Sequence, residues 1–541
     1  MNNIRLTHID GLRTVAVLLV FFYHTDLLPG GYLGVDIFLV ISGYIITKIF
    51  LSKNLQFNII EIYNFFLRRV NRLLPPLIIV IIFTFLISYL LLLPDEIIFL
   101  SKTINYSLVF LTNIFFYFNT NYFSEVSNSP LLHFWSIGLE FQFYIFVVFF
   151  FLIFKKNIKF CFLILILSLI LAQFGGNLTY NYPYIEKKIN FFSPIFGSFY
   201  LLPTRLFEFC FGIIIALSPN FPKLNKFFFN NYLSYLCLLL LFFTIFISDN
   251  TTPHPSFVTF LICICTSQLI LNNDKKIYLY KFLNYKHVSK FGLISYGFYL
   301  WHYPIIYYYK SYTVRNLELF EIFIVFLFAL FFSLISYLYL EKPFRSKTNN
   351  FKKILFYVFV LLFFVALSFN IKTNKGYIER FNKEDRSLFT NLEKREKFLR
   401  NCRGRDIEKA CIYGDKENIT SIAWGDSHLH QLSPVLKKIF ENQNEGLVEA
   451  TIPGCLPIIN TYRKDKHGQD CSKKNKKIFE EILLNKNLKK IIIHAFWSNY
   501  LNNEIIISEL ENFDLGQIFI NQLNELEKAG KEIYLILGVP S

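Results

Sequence analysis

The sequence predicts an α-helical polytopic membrane domain of about eleven spans followed by an extracytoplasmic α/β domain. Three observations carry this. Hydrophobic residues fill 54% of the 541 positions and aromatic ones 19%, more apolar surface than one soluble core hides. The surplus lies in uncharged runs such as 77–93, 143–154 and 354–369. Beyond Lys372 the composition turns charged and ordinary, and from Asn418 short apolar strands alternate with helical stretches.

At about 20 apolar residues per span, helices are expected near 9–27, 34–52, 76–94, 133–154, 158–174, 203–218, 230–247, 255–271, 293–310, 317–340 and 351–369. The first run follows Arg5 as a signal peptide would, but no small-residue cleavage site comes after it and many spans do, so it reads as a transmembrane helix. One set of loops carries Arg68, Arg69, Arg72, Lys155, Lys156, Lys223, Lys226, Lys275, Lys276, Lys342 and Arg345. The alternate set has little beyond Lys102, Lys187, Lys188 and Arg315. The positive-inside rule then places the N-terminus in the cytoplasm, and an odd number of spans sends residues 371–541 outside. The net charge of +16 follows from this loop pattern rather than from one basic face, so nucleic acid is not an expected partner.

Four of the nine cysteines, Cys402, Cys411, Cys455 and Cys471, fall in the exported part. In an oxidising compartment an even number allows two disulfides. Neighbour pairing is the simplest of three connectivities, with free thiols as the alternative.

Ionisable side chains inside hydrocarbon cost about 2.5–3.5 kcal/mol each and mark pathways or reaction sites. The first helix carries Arg13 and His24, about three full turns and roughly 16 Å apart, so both can face one cavity at different depths. Asp36 opens the second helix, and His133, Ser136, Glu140 and Tyr144 recur at helical spacing on the fourth. Arg205 and Glu208 sit near the outer end of the sixth. Residues this close to a helix end also pair structurally or snorkel, whereas His24 and Glu140 lie deeper. On the cytoplasmic side, Arg68, Arg69 and Arg72 precede Leu73-Leu74-Pro75-Pro76 as a basic turn suited to phosphate. Positive-inside topology alone would also place them there. No metal site is expected.

These residues resemble the acyltransferase 3 family of membrane O-acyltransferases, in particular members fused to an extracytoplasmic hydrolase-like domain. The matching segments are His8-Ile9-Asp10-Gly11-Leu12-Arg13, then His24, Gly34-Val35-Asp36 through Ser42-Gly43-Tyr44, and Arg68 to Pro75. Further on come His133-Phe134-Trp135-Ser136-Ile137-Gly138-Leu139-Glu140, Ser295 to Pro304, and Glu341-Lys342-Pro343-Phe344-Arg345. The resemblance implies an acyltransferase 3 domain over 1–345, an additional transmembrane helix in 346–371, a linker over 372–415 and an SGNH-like domain over 416–541. It also implies transfer of an acyl group, commonly acetyl, from cytoplasmic acyl-CoA to a sugar hydroxyl of an envelope glycan such as lipopolysaccharide O-antigen, peptidoglycan or exopolysaccharide. Sugar hydroxyls need a positioned base, and His24 is the candidate, or else the transient acyl carrier. Glu140 or Asp36 would orient that imidazole or bind sugar hydroxyls. Arg69 and Arg72, with Arg68, would meet the cofactor's diphosphate, and Arg13 its arm or a developing oxyanion.

In the exported part, strands are expected at 419–424, 447–451, 490–494 and 532–537, with helices after His428 and around 474–484. That alternation predicts a parallel three-layer domain. Gly425-Asp426-Ser427-His428 follows the first of these strands and precedes a helix, which resembles the nucleophile turn of SGNH hydrolases with Ser427 as the nucleophile. That family's late D-x-x-H motif has no counterpart after the last strand, and neither Gly454, Asn499 nor His494 stands in its expected context. The domain is therefore expected to be truncated, with Ser427 a relic or incomplete nucleophile. Two rival readings remain. One is a transporter or flippase, in which buried charges are equally natural but broken inverted repeats are expected. The other is a glycan-binding scaffold, which gives His24, Glu140 and the arginines no reason to occur together.

Overall fold

The computed structural model describes residues 6–52, 59–119, 129–154, 157–181, 199–221, 231–249, 252, 254–272, 278–313, 315–345, 350–383, 385–386, 402, 405–463, 468–497, 506–508 and 515–537. It divides into two compact units, Met1–Tyr377 and Ile378–Ser541.

The first unit is helical: α1 (Thr7–His24), α2 (Gly34–Ser52), α3 (Ile59–Leu91), α4 (Pro94–Leu108), α5 (Thr112–Asn119), α6 (Trp135–Phe154), α7 (Ile158–Asn181) and α8 (Leu202–Leu217). It continues with α9 (Asn231–Ile247), α10 (Phe257–Leu271), α11 (Tyr278–Leu283), α12 (Lys286–Thr313), α13 (Leu319–Ser336) and α14 (Asn350–Thr373). Each range expected to span holds a helix. Among the described residues, six helical stretches are long and apolar enough to cross a membrane, namely Pro29–Leu51, Ile59–Leu91, Leu132–Phe154, Leu202–Asn220, Leu319–Phe344 and Phe351–Thr373. The last two are only 28% and 22% buried within the protein, which leaves most of their apolar surface for lipid.

Two features differ from the sequence reading. Arg68, Arg69 and Arg72 are helical rather than a turn, because α3 runs continuously through Pro75 and Pro76. Neighbouring helices support such prolines in spans; here Tyr296 of α12 donates its hydroxyl to the Leu73 carbonyl at 2.9 Å. Helices α4 and α5 were not expected at all. Asp95, Glu96, Lys102 and Asn113 dilute their hydropathy, yet Ile97, Leu100 and Ile104 bury one face of α4. Pro94 starts that helix at its first position, where its missing N–H is not needed, and the Glu96 carboxylate accepts from the Leu93 N–H at 2.8 Å.

The core is largely aromatic, with Phe21, Phe143, Phe209 and Phe298 fully buried. Helices α2 and α8 meet through glycine: a Cβ on Gly43 would land on the Phe209 carbonyl, and one on Gly212 on the Val40 carbonyl. Small residues at such crossings let backbones approach where lipid supplies no hydrophobic drive. The close approach brings the polar residues of both helices into one interior.

The second unit holds β1 (Cys411–Gly414), β2 (Ile419–Gly425), β3 (Gly446–Thr451), β4 (Thr461–Arg463), β5 (Lys490–His494), β6 (Ile506–Ser508) and β7 (Glu532–Ile536). Helices α15 (Ser427–Gln443), α16 (Gly468–Leu484) and α17 (Leu515–Lys528) alternate with them. The main sheet has the order β1-β3-β2-β5-β7, parallel throughout except for β1, and β4 pairs β6 separately. Its two faces carry separate apolar clusters, Trp424, Ile482, Ile491 and Leu526 on one and Leu429, Phe440 and Leu447 on the other. That is the expected three-layer α/β arrangement. The Trp424 indole N–H donates to Asn475 Oδ1 at 2.9 Å, and Asn475 donates in turn to the Leu456 carbonyl at 2.6 Å. The cysteines pair as neighbours, Cys402 with Cys411 and Cys455 with Cys471.

Candidate active site

The polar residues picked out along the spans separate into three groups. The first lines a cavity between α1, α2, α3, α6 and α12, with Arg13, Ser42, Arg72, Ser136, Glu140 and Tyr299 among its walls. Its empty volume is about 610 Å³, open solvent at the mouth included. The carboxylate of Glu140 accepts from Ser42 Oγ at 2.7 Å and from the Tyr144 hydroxyl, one turn along α6, at 2.6 Å. It also faces the guanidinium groups of Arg13, Arg69 and Arg72. Arg13 lies 3.5 Å from Asp10. Arg69 packs over the rings of Phe65 and Tyr144, 5.6 and 5.9 Å from their centroids. The Nε atoms of Arg69 and Arg72 are buried without a hydrogen-bond partner, so two directed donors are spare for an anion. Arg68 is half-buried on the same helix and is not among the cavity walls.

The second group surrounds His24. Its ring centroid is 5.5 Å from that of His302 and 4.6 Å from that of Tyr303. His133 completes the group, 5.4 Å from His302 and 5.1 Å from Tyr303. His133 sits in the 3-10 turn Leu132–Phe134 that leads into α6, while His302 and Tyr303 come from α12. Tyr299 joins the two groups. It walls the cavity, its ring lies 5.5 Å from His302, and its hydroxyl donates to the His133 carbonyl at 2.8 Å beside Ser136 Oγ at 2.7 Å.

The third group contains Asp36. Arg205 Nη1 is 2.8 Å from both Asp36 Oδ1 and Glu208 Oε1, with all three side chains fully buried. His254 Nε2 lies 3.5 Å from Asp36. The Arg205 Nε–H donates to the Phe199 carbonyl at 3.1 Å, and the guanidinium stacks on Phe199 and Trp135. Asp36 is thus held by an arginine and Glu140 by two hydroxyls, and the three-dimensional convergence of both on His24 that depth alone suggested is not what the packing gives. Sequence reasoning assigned no role to His302, Tyr299, Ser42 or His254. The first three lie in segments it had quoted, but only their packing shows what they face. Among the described residues, no group of three or more His, Cys, Asp or Glu side chains is arranged to hold a metal ion.

In the second unit, Ser427 opens α15 directly after β2. β3 lies on one side of β2 and β5 on the other, so this turn sits where strand order reverses, at the carboxyl edge where α/β sheets bind ligands. Gly425 is required there, because a Cβ would strike the His494 carbonyl. The Asp426 carboxylate caps the helix, accepting from the His428 N–H at 2.7 Å and the Phe496 N–H at 3.1 Å. Exposed His428 stacks on Phe496 at 4.3 Å, and His494 Nδ1 is 2.9 Å from the Ile536 carbonyl at its strand end. Among the described residues, no hydrogen bond joins Ser427 to a histidine or a carboxylate. Asn499 lies outside them.

A helical bundle with an arginine-lined cavity, a histidine centre and an attached nucleophile-turn domain defines a class of membrane-embedded group-transfer proteins. The sequence comparisons place it further. Residues 6–338 match the acyltransferase domain family, and residues 397–541 match the SGNH domain that is fused to such domains. The chain belongs to this acyltransferase family. A Staphylococcus aureus (strain COL) protein with a provisional O-acetyltransferase name is 33% identical over 360 residues, 63% of this chain and 57% of its own length. The O-acetyltransferase OatA of Staphylococcus aureus (strain NCTC 8325 / PS 47) is 28% identical over 505 residues, 86% of this chain and 80% of its own. The matched part therefore spans less than two thirds of the first of these relatives. No solved structure matches the chain.

Proposed function

We propose that the chain transfers an acyl group, acetyl in the simplest case, from cytoplasmic acyl-CoA to a sugar hydroxyl of an envelope glycan. One observation carries the reading: a cavity walled by Arg13 and Arg72, with Arg69 one turn back on the same helix, is joined through Tyr299 to a histidine centre. Arginine forks suit a diphosphate, and a thin pantetheine arm suits a cavity whose walls mix apolar side chains with a few polar groups. Arg72 and Arg69, with Arg68 at the approach, take the phosphates. Arg13 holds the arm or the developing oxyanion, and Glu140, fixed by Ser42 and Tyr144, balances the arginines between turnovers. His24 is the reacting imidazole, as base or as transient acyl carrier. Asp36 supports the site from a distance through Arg205.

The lysine and arginine asymmetry of the loops supports a cytoplasmic N-terminus, eleven spans and an external SGNH domain. There Ser427, at a helix N-terminus on a sheet switch point, is the candidate to receive or release an acyl group. The test is expression of wild type and His24→Ala at equal membrane abundance, with mass spectrometry of ester-linked acyl groups on envelope glycans. Esters that appear with wild type and vanish with His24→Ala support the reading, and the mass increment and glycan fraction name the acyl group and the acceptor. Esters that persist in the variant refute the assignment of His24.

A further inference from the structure

We propose that His302 takes the proton from the attacking sugar hydroxyl, which leaves His24 the role of acyl carrier; the proposal rests on the acyl-transfer reading above. His302 Nδ1 lies 3.1 Å from the Phe298 carbonyl. A carbonyl only accepts, so Nδ1 carries the hydrogen. In the neutral ring, Nε2 is then a bare lone pair, and it is buried without a hydrogen-bond partner. The same logic holds for His133, whose Nε2 lies 3.1 Å from the Leu300 carbonyl and whose Nδ1 is buried and unpartnered. Both rings are fully buried, where an unpaired imidazolium would be costly, so the neutral form is the resting one.

Two bare imidazole acceptors thus lie in one cluster with His24, and a buried acceptor of this kind is satisfied when a bound ligand brings a donor. A sugar hydroxyl provides the missing donor. Of the two rings, only His302 makes ring contacts with both His24 and Tyr299, at 5.5 Å each, so it stands between the acyl-bearing centre and the cavity wall. It is also the ring with the clearer base geometry, its orientation fixed one turn back on its own helix, as acid–base histidines generally require.

The steps balance. A His24 nitrogen bonds to the thioester carbon, the carbon–sulfur bond breaks with its electron pair on sulfur, and the departing thiolate takes the proton from His24. The sugar oxygen then bonds to the acyl carbon while its O–H bond breaks and the proton goes to His302 Nε2. The bond from carbon to His24 breaks, and His302 returns the proton to the His24 nitrogen, which restores both rings.

The test uses the full chain in membranes with acetyl-CoA and isolated envelope glycan, reading CoA thiol release and glycan ester together. His302→Asn keeps an N–H for the Phe298 carbonyl and removes the base; His302→Gln is the second variant should the first fold poorly. The expected result is retained release of about one thiol per protein, with ester formation down roughly 100-fold or more and KM for acetyl-CoA little changed. Ester formation within about threefold of wild type overturns the proposal. So does loss of the initial thiol release along with ester, which would put His302 before acyl loading. Absence of ester with wild type overturns the acyl-transfer reading itself, and this proposal with it.

Discussion

Arg205 is a residue whose removal the packing makes costly. Its guanidinium is fully buried, holds two carboxylates at 2.8 Å and a carbonyl at 3.1 Å, and stacks on two rings. Arg205→Met keeps much of the stem volume but leaves Asp36 and Glu208 facing one another, with only His254 at 3.5 Å to offset them. Removing one partner of a buried ion pair costs about 3–5 kcal/mol, because a charge is left uncompensated. At about 2–4 °C per kcal/mol for domains of a few hundred residues, the melting point should fall by at least roughly 6 °C. Five buried free cysteines, Cys161, Cys210, Cys237, Cys263 and Cys265, provide the assay, since a thiol-reactive dye labels them only as the bundle opens. Adding Asp36→Asn and Glu208→Gln to Arg205→Met should recover at least half of the loss, because neutral amides leave no charge stranded. A single Arg205→Met that melts within about 1 °C of wild type would refute the reasoning. Asp36→Asn alone then separates support from chemistry: activity per folded molecule should stay within about threefold, with the melting point lowered. Wild-type melting with lost activity would instead place Asp36 in the reaction.

Gly43→Val and Gly212→Val should each destabilise the bundle by about 1–3 kcal/mol by forcing α2 and α8 apart, read by the same dye. Cys455→Ser opens the bridge across 16 residues and should cost the second unit about 3 kcal/mol, read as faster proteolysis under non-reducing conditions. Burial pushes the Glu449 carboxyl up, but hydrogen bonds from His430, Tyr413 and Thr451 outweigh it and hold the group below the usual carboxylate range. The stability from that depressed value is whole above the ordinary carboxylate pKa of about 4.3 and is lost as pH falls through the lower folded value. Glu449→Gln should therefore flatten the acid limb of the second unit's stability in paired acid and neutral urea titrations.

Much of the fold was legible because each unit has one dominant signal. Apolar runs of span length marked the helices of the first unit, and period alternation after Asn418 marked the strands and the turn at Ser427. What stayed hidden is instructive. The helix α4 breaks the span rule with Asp95, Glu96 and Lys102 yet buries a full apolar face, which only its packing partners reveal. Pro75 and Pro76 read as a helix start because an isolated helix would break there, whereas in the bundle α3 passes through them. At the site, counting residues gives position along a helix but not azimuth. Asp36 and Ser42 lie on one helix, six residues apart, and serve different groups, one against Arg205 and the other against Glu140. His302 went unassigned because a histidine in an aromatic segment looks like core until its bare nitrogen is located.

The separation of the three groups has a chemical logic. A buried carboxylate in contact with an imidazole favours its charged form, whereas rings oriented by backbone carbonyls, as His133 and His302 are, keep a neutral lone pair for substrate. On the proposed reading, keeping the buried ion pairs at Arg205, Asp36 and Glu208 lets the bundle fix its helices with charge without placing a carboxylate against the histidines. The hydroxyls of Tyr299 and Ser136 span the gap between the Glu140 cavity and the histidines with neutral hydrogen bonds only. On this arrangement, introducing a carboxylate between the two, as in Ser136→Asp, should impair transfer even if the fold survives. It would pin a proton on the histidines that the chemistry needs to move.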